Sequence, residues 1–206
     1  MQIQKYKDLG VTMDASLKFK EHICDIAARA QRRVGLLFRC FLTRDVDTLV
    51  SAYTTYVRPV LEYASSIWSP SYLYLIDKLE RVQRRFTKRI PGLDQMSYTE
   101  RLAALGMDSL EIRRLRADLI LAYKIIFGLI DVDCKKYFVL RVAGSTRGHD
   151  FKLIPEHCVV DRRKHFFSQR IVKMWNALPS AIIKFDSLSV FKSSLNKCDL
   201  RQFTVF

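Results

Sequence analysis

Glycine and proline are scarce in this 206-residue sequence, with 7 and 5 copies respectively. So few breakers exclude a collagen-like or low-complexity chain and favour helices over a many-turned β architecture. The five cysteines, Cys24, Cys40, Cys134, Cys158 and Cys198, are odd in number and widely scattered. That is no disulfide framework, and it predicts a reducing, intracellular setting, nuclear or cytoplasmic. Long apolar runs are missing too. The most apolar stretch, Leu119 to Ile130, is broken by Lys124 and Gly128 and falls short of the roughly 18 residues that a spanning helix needs. No basic-then-apolar leader opens the sequence, so a soluble protein that does not enter a membrane is expected.

Acidic residues are also in short supply. Against 35 Lys and Arg stand only 21 Asp and Glu, a formal charge of +14. With 49% hydrophobic and 12% aromatic residues, this is a folding sequence and not a basic tail. Its length suits one domain or two small ones with a real core. A folded chain with such excess charge calls for a polyanionic partner, nucleic acid first and an anionic membrane surface second.

Signatures of independent chemistry are absent. There is no Gly-rich phosphate loop and no Gly-x-Ser-x-Gly elbow. His22-x-Cys24 and His157-Cys158 do not supply four ligands at zinc-site spacing. Asp45/Asp47 and Asp131/Asp133 are better read as helix-start and loop residues than as a two-metal pair. No metal or organic cofactor is expected in this chain.

The organisation is mainly helical. Tyr6 to Asp14 holds β-compatible residues and ends in a turn at Asp14-Ala15-Ser16, giving one or two short strands over residues 1–20. Such a pair either packs on the helices that follow or is the edge of a sheet from a longer protein. From Phe19 the period becomes helical: Ile23, Ile26, Ala27, Ala30, Val34, Leu37, Phe38 and Phe41 form one stripe. Thr43 or Asp45 can cap the next helix, whose inner face takes Val46, Leu49, Val50, Tyr53 and Val57. Pro59 should kink or divide it near Val57. A third long helix is predicted from Tyr72 to Ile90, and two capping boxes follow, Ser97-x-x-Glu100 and Asp108-x-x-Glu111. The second heads a segment with Leu115, Leu119, Ala122, Tyr123 and Ile126 on one face. Residues 21–130 thus read as a helical bundle. Residues 131–206 read as a mixed segment, with a short strand pair between Phe151 and Val160, a helix over His165–Ala177 and another over Ser187–Lys197 with Val190, Phe191 and Leu195 inward.

The segment Leu75 to Ile90 is the most informative. At 100° per residue its apolar members Leu75, Leu79, Val82, Phe86 and Ile90 share one side. Arg81, Arg84, Arg85 and Lys88 share the other, flanked by Lys78 and Arg89, with Glu80 the only acid among them. Clustered cations repel one another by some tenths of a kcal/mol per pair, and a phosphate backbone would relieve that repulsion. An ordinary solvated helix face is the competing reading. Further basic groups occur at Arg29, Arg32, Arg33 and Arg39, at Arg113, Arg114 and Arg116, and at Arg162, Arg163 and Lys164. Tyr53, Tyr56, Tyr63, Tyr72 and Tyr74 lie near these charges. They suit either a core with hydroxyls at its rim, the favoured reading, or base stacking.

Three linked motifs carry a resemblance. Tyr6-Lys7-Asp8-Leu9-Gly10-Val11 leads through Asp14, Leu17 and Phe19 to His22-Ile23. Next come Ala52-Tyr53, Tyr56-Val57-Arg58-Pro59-Val60-Leu61-Glu62-Tyr63-Ala64, Ile67-Trp68-Ser69-Pro70 and Leu79-Glu80-Arg81-Val82-Gln83-Arg84-Arg85-Phe86. The last is Phe166-Phe167-Ser168-Gln169-Arg170 with Trp175-Asn176-Ala177-Leu178-Pro179. In this order they resemble the end of the palm, the thumb and the post-thumb region of non-LTR (LINE-type, jockey-like) retrotransposon reverse transcriptases. The resemblance implies a helical, thumb-like bundle after a palm-edge strand pair. Its implied partners are an RNA template and an RNA/DNA or DNA duplex, together with the palm and fingers of the same polyprotein. It places Lys78, Arg81, Arg84, Arg85, Lys88 and Arg89 on the nucleic acid. Such polymerases hold magnesium through paired palm aspartates, and this sequence contains no Asp-Asp pair. No polymerase activity is therefore expected from this chain alone, and Met1 is expected to be an internal methionine of a longer reading frame. A stand-alone helical nucleic-acid-binding module and a helical scaffold for an acidic protein are the alternatives.

Overall fold

The computed structural model describes residues 5–42, 44–141 and 148–206. It is mainly helical, with one two-stranded antiparallel sheet at its start. Strands β1 (Lys5–Asp8) and β2 (Val11–Asp14) pair with Lys5 opposite Asp14 and Asp8 opposite Val11. Leu9 and Gly10 between them both take positive φ, 43° and 85°, the backbone sense that a two-residue hairpin turn requires. Asp14 closes the next turn by accepting from the Ser16 amide at 2.7 Å. The hairpin is docked on the helices: Val11 is buried, the Thr12 amide donates to His22 Nδ1 at 3.3 Å, and Tyr63 Oη donates to the Leu9 carbonyl at 3.0 Å.

Helix α1 (Lys20–Cys40) follows the predicted stripe, with Ile23, Ile26, Ala27, Ala30, Val34, Leu37 and Phe38 buried. Asp45 caps α2 (Val46–Ala52) by accepting from the Thr48 amide at 2.8 Å; Thr43 lies outside the described residues. Pro59 does divide this stretch. A π-helical turn, Tyr53–Val57, precedes α3 (Arg58–Glu62), and the Arg58 amide reaches back to the Tyr53 carbonyl. The wider turn accommodates a residue that brings a ring and no N–H. After α4 (Ser65–Trp68) comes α5 (Leu73–Lys88), which packs along α1. Lys18, just before α1, lies over Tyr72 at the start of α5, and Phe38 meets Phe86 near the ends of the two helices, so α1 and α5 run in the same sense. Trp68, Tyr53, Phe86, Leu49 and Leu61 fill the core between them, and burying a side chain such as Phe86 stabilises the fold by roughly 2–3 kcal/mol.

Helix α6 (Tyr98–Ala104) has the predicted capping box: Ser97 Oγ accepts from the Glu100 amide at 3.3 Å while Glu100 accepts from the Ser97 amide at 2.7 Å. At α7 (Leu110–Ile126) the box is displaced. Ser109, and not Asp108, stands before the first turn and accepts from the Ile112 amide at 3.2 Å. A serine hydroxyl one residue later suits the same role, and spacing alone does not decide between them.

The chain divides into two compact units, Met1–Arg113 and Arg114–Phe206. The division falls inside α7, a continuous helix with no breaker, and not at the change of sequence pattern after Ile130. In the second unit a short 3₁₀ turn (Cys134–Lys136) precedes α8 (Asp161–Lys164), α9 (Phe167–Asn176) and α10 (Leu188–Asn196), and another (Arg201–Phe203) closes the chain. The predicted strand pair within residues 151–160 does not form; Leu153 instead makes a single antiparallel bridge with Leu140. Asn176 holds that bridge in place of a second strand, bonding both the amide and the carbonyl of Leu153 at 2.8 Å. The helix predicted over His165–Ala177 is α9, which starts two residues later after an extended Phe166; the short α8 precedes it. Val190 is exposed, while Phe191 and Leu195 point inward as expected. Trp175 is fully buried, its indole donating to the Phe151 carbonyl at 2.6 Å, within a group that includes Phe185 and Phe191. Arg170 clasps Asp118 through Nε and Nη2 at 3.0 and 2.8 Å.

Among the described residues no helix is long and apolar enough to cross a membrane.

Candidate nucleic-acid interface

Helix α5 is held in place by its own inner face. Leu75, Leu79, Val82, Phe86 and Ile90 are all buried. Beside them Glu80, Gln83 and Thr87 are buried polar groups, which must be bonded to be tolerated. Tyr53 Oη donates to Gln83 Oε1 at 3.1 Å, and Gln83 Nε2 donates to Tyr98 Oη and the Asp108 carbonyl, each at 3.0 Å. Tyr98 Oη donates to Glu80 at 2.6 Å, and Glu80 also accepts from the Glu111 amide at 2.8 Å, in the first turn of α7. Arg101 donates to Thr87 Oγ1 at 3.0 Å. Burial first, and the Glu80 charge second, push the phenols of Tyr53 and Tyr98 well above their usual values. Both remain hydrogen-bond donors at any physiological pH. The network ties α5 to α6 and to the start of α7.

The outer face carries the predicted cations. Lys78, Arg81, Arg85, Lys88 and Arg89 are exposed and Arg84 is half-buried. They do not all keep their charge free. Asp77, one residue before the basic run, pairs with Arg81 at 2.7 Å and with Arg84 at 2.6 Å. Partial burial pushes the Asp77 carboxyl up, but the bonds from Arg84 and Arg81 outweigh it and hold the group below its usual range. Arg84 also lies over the Tyr98 ring at 5.1 Å, and Arg89 over the Phe38 ring at 4.1 Å. Lys78, Arg85 and Lys88 pair with no acid among the described residues. Glu80, in sequence the acid of this run, is turned into the core and faces none of the solvent. Asp77 is legible in the sequence as the partner four and seven residues before Arg81 and Arg84.

Helical spacing adds a residue to this face. Tyr74, Lys78, Arg81, Arg85 and Lys88 follow one another at steps of four, three, four and three, within about 80° of the helix circumference and over about 21 Å of its length. Tyr74 is 55% exposed, and Tyr72 beside it is 37% exposed with its ring under Lys18 Nζ at 5.6 Å. Of the five tyrosines near these charges only Tyr53 is a core residue, stacked on Phe86 at 4.2 Å. The other four are exposed, so the reading of them as core is corrected. Each falls at a helix start or junction, where the apolar stripe does not reach.

The remaining basic groups differ. On α1, Arg29 pairs with Asp25 at 3.0 Å and Arg33 donates to the Tyr56 carbonyl at 2.7 Å, while Arg32 and Arg39 are exposed. Arg113 is bound to Glu62, which Arg58 approaches at 3.7 Å. The Glu62 bond raises the Arg113 value, while burial and then the Arg113 charge lower that of Arg58. Arg114 is buried and Arg116 half-buried, so α7 presents no basic face like that of α5. Arg163 pairs with Glu156 at 2.8 Å.

His22 is a core residue packed against Trp68. Among the described residues no group of three or more His, Cys, Asp or Glu is gathered to hold a metal ion.

No family model and no solved structure matches the chain. It is similar to an uncharacterized protein of Caenorhabditis elegans, 29% identical over 114 residues, which cover 54% of this chain and 58% of that protein. The match thus spans less than two thirds of the relative's own length.

Proposed function

We propose that this chain grips nucleic acid without acting on it, as the thumb and post-thumb part of a non-LTR retrotransposon reverse transcriptase whose catalytic aspartates lie in another segment. The observation that carries the reading is the outer face of α5, where Lys78, Arg85 and Lys88 stand exposed without an acidic partner among the described residues on a helix fixed from behind by the Glu80 network. A fixed row of cations costs little ordering entropy on binding and releases counterions from a phosphate backbone. The three linked motifs supply the assignment to a polymerase and the RNA-containing template-primer as ligand.

Binding to a short RNA/DNA duplex, followed by anisotropy against salt, tests this. Replacing Lys78, Arg85 and Lys88 together by alanine is expected to weaken binding and to lower the slope of log affinity against log salt by up to about 3. An unchanged slope would remove the α5 face from the interface.

A second reading keeps the surface and drops the polymerase: a helical binding module that stands alone. The burial of Val11, on β2, against α1 favours it. Sequencing the transcript upstream of the Met1 codon separates the two, since only the first requires an in-frame palm with paired aspartates.

A further inference from the structure

The second unit has an open groove of about 660 Å³, formed entirely within residues 114–206. Residues 155–158, which follow the Leu140–Leu153 bridge, line it together with one side of α9. On α9, Gln169, Lys173 and Asn176 recur at steps of four and three, over about 10 Å of the helix axis. Val172, which is buried, and Pro155 give the groove an apolar part. Its free charge is positive. Lys164, at the end of α8, and Lys173 line it, are exposed and pair with no acid among the described residues. Glu156, the acid of the lining, is already held by Arg163 at 2.8 Å and by Gln169 at 2.9 Å. The main chain beside the groove is unpaired. Ile154 donates to the Val139 carbonyl at 2.8 Å, but the amides of residues 156–159 and the carbonyls of residues 157–159 bond to nothing among the described residues.

We infer that this groove takes a short acidic segment of another protein, laid in extended form beside residues 156–159. The segment's main chain pairs with the open main chain there, and its carboxylates meet Lys164 and Lys173 around an apolar side chain on Val172. About 10 Å of groove suits three residues of extended chain at roughly 3.3 Å each. Alternate side chains of an added strand point the same way, so acid, apolar and acid at every second position fit one face. Charge alone would suit a nucleic acid equally well. The free carbonyls decide against it, because they need donors, which a peptide main chain supplies and a phosphate backbone does not. The inference concerns a different surface from the α5 face and stands or falls without it.

The probe is the end-blocked, fluorescein-labelled peptide Glu-Asp-Val-Asp-Glu, titrated into the whole protein by anisotropy. Cys158 supplies an internal reporter, since it lines the same groove and is half-buried, while Cys40 is exposed and serves as reference. Saturating peptide is expected to slow iodoacetamide alkylation of Cys158 severalfold, read by peptide mass mapping, and to leave Cys40 unchanged. Lys164→Ala/Lys173→Ala changes two exposed side chains and should weaken the peptide about tenfold. Arg85→Ala/Lys88→Ala should leave peptide affinity as it was. The same peptide N-methylated at alternate residues should lose binding, because its main chain can no longer pair. Absence of peptide binding would overturn the inference. So would binding that survives the lysine changes or leaves Cys158 as reactive as before, since the peptide would then sit elsewhere on a basic protein. Undiminished binding of the N-methylated peptide would exclude the added strand. A single-stranded oligonucleotide that shields Cys158 as well as the peptide does would assign the groove to phosphate and overturn it too. Duplex binding by Lys164→Ala/Lys173→Ala, measured in parallel, reports on the α5 reading separately.

Discussion

Helices α5 and α7 carry arginine at nearly the same density, Arg81-Val82-Gln83-Arg84-Arg85 in one and Arg113-Arg114-Leu115-Arg116 in the other. Their surroundings differ completely. Arg113 is bound to Glu62 on α3, and Arg114 is buried. On α5, Asp77 takes Arg81 and Arg84, and Lys78, Arg85 and Lys88 remain without an acid among the described residues. The acid within their run, Glu80, points the other way and binds Tyr98 and the start of α7. A candidate surface is thus marked by exposed charge without a partner, not by the number of cations in a segment.

That contrast can be broken from its inner side first. Glu80→Ala should cost about 3 kcal/mol, because it strands the Tyr98 hydroxyl and the Glu111 amide in the core, and urea unfolding reads it directly. A loss below about 1 kcal/mol would mean that the network does not anchor α5. Arg113→Ala comes next, at about 1–2 kcal/mol given that the Glu62 pair is partly solvated. Its effect on duplex affinity should be much smaller than that of the α5 lysines. If R113A weakens binding as much as Lys88→Ala, the distinction between the two helices fails.

Acidification should have a smaller effect. Burial, and secondly the charge of Arg29, hold His22 below its ordinary value; burial does the same to His149. The unfolded chain then takes up protons more readily than the folded one. Stability is therefore complete above about pH 6.5 and falls as the pH drops through the folded values. His22 accepts from the Thr12 amide through Nδ1, and protonation removes that acceptor, so the hairpin should loosen with it. Urea midpoints at pH 7.5 and 5.5 should differ by a smaller amount in His22→Gln than in the natural protein.

The smallest stability change belongs to the outer face. Asp77→Asn should cost less than about 1 kcal/mol while releasing Arg81 and Arg84 from their acid, and it should raise duplex affinity severalfold at low salt. Unchanged affinity would place those two arginines outside the interface. Arg85→Ala/Lys88→Ala should leave stability within about 0.5 kcal/mol and lower affinity, the reverse of Arg113→Ala.

Much of this architecture is legible in the order of the residues. The steps from Ile23 to Phe38 specify α1, Asp45 supplies a cap, Pro59 marks the break that the π-helical turn at Tyr53–Val57 accommodates, and Ser97 with Glu100 makes a complete capping box. The two faces of α5 are legible for the same reason. Each is a local property, set within a few residues by backbone geometry and helical period. The shift of the α7 cap to Ser109, the Leu140–Leu153 bridge held by Asn176 and the exposure of four tyrosines are not. The cap turns on a choice between two adjacent residues that could each fill it, the bridge on a partner far along the chain, and the tyrosines on where a stripe ends.

The sequence by itself determined the helical class, the hairpin and the side of α5 on which its cations lie, because periodicity and turn chemistry act locally. Only the tertiary structure decided that Glu80 turns away from the α5 cations and that Arg113 is bound to a distant acid. An ion pair or a buried carboxylate depends on which groups folding brings within a few ångströms, and Arg113 and Glu62 are 51 residues apart.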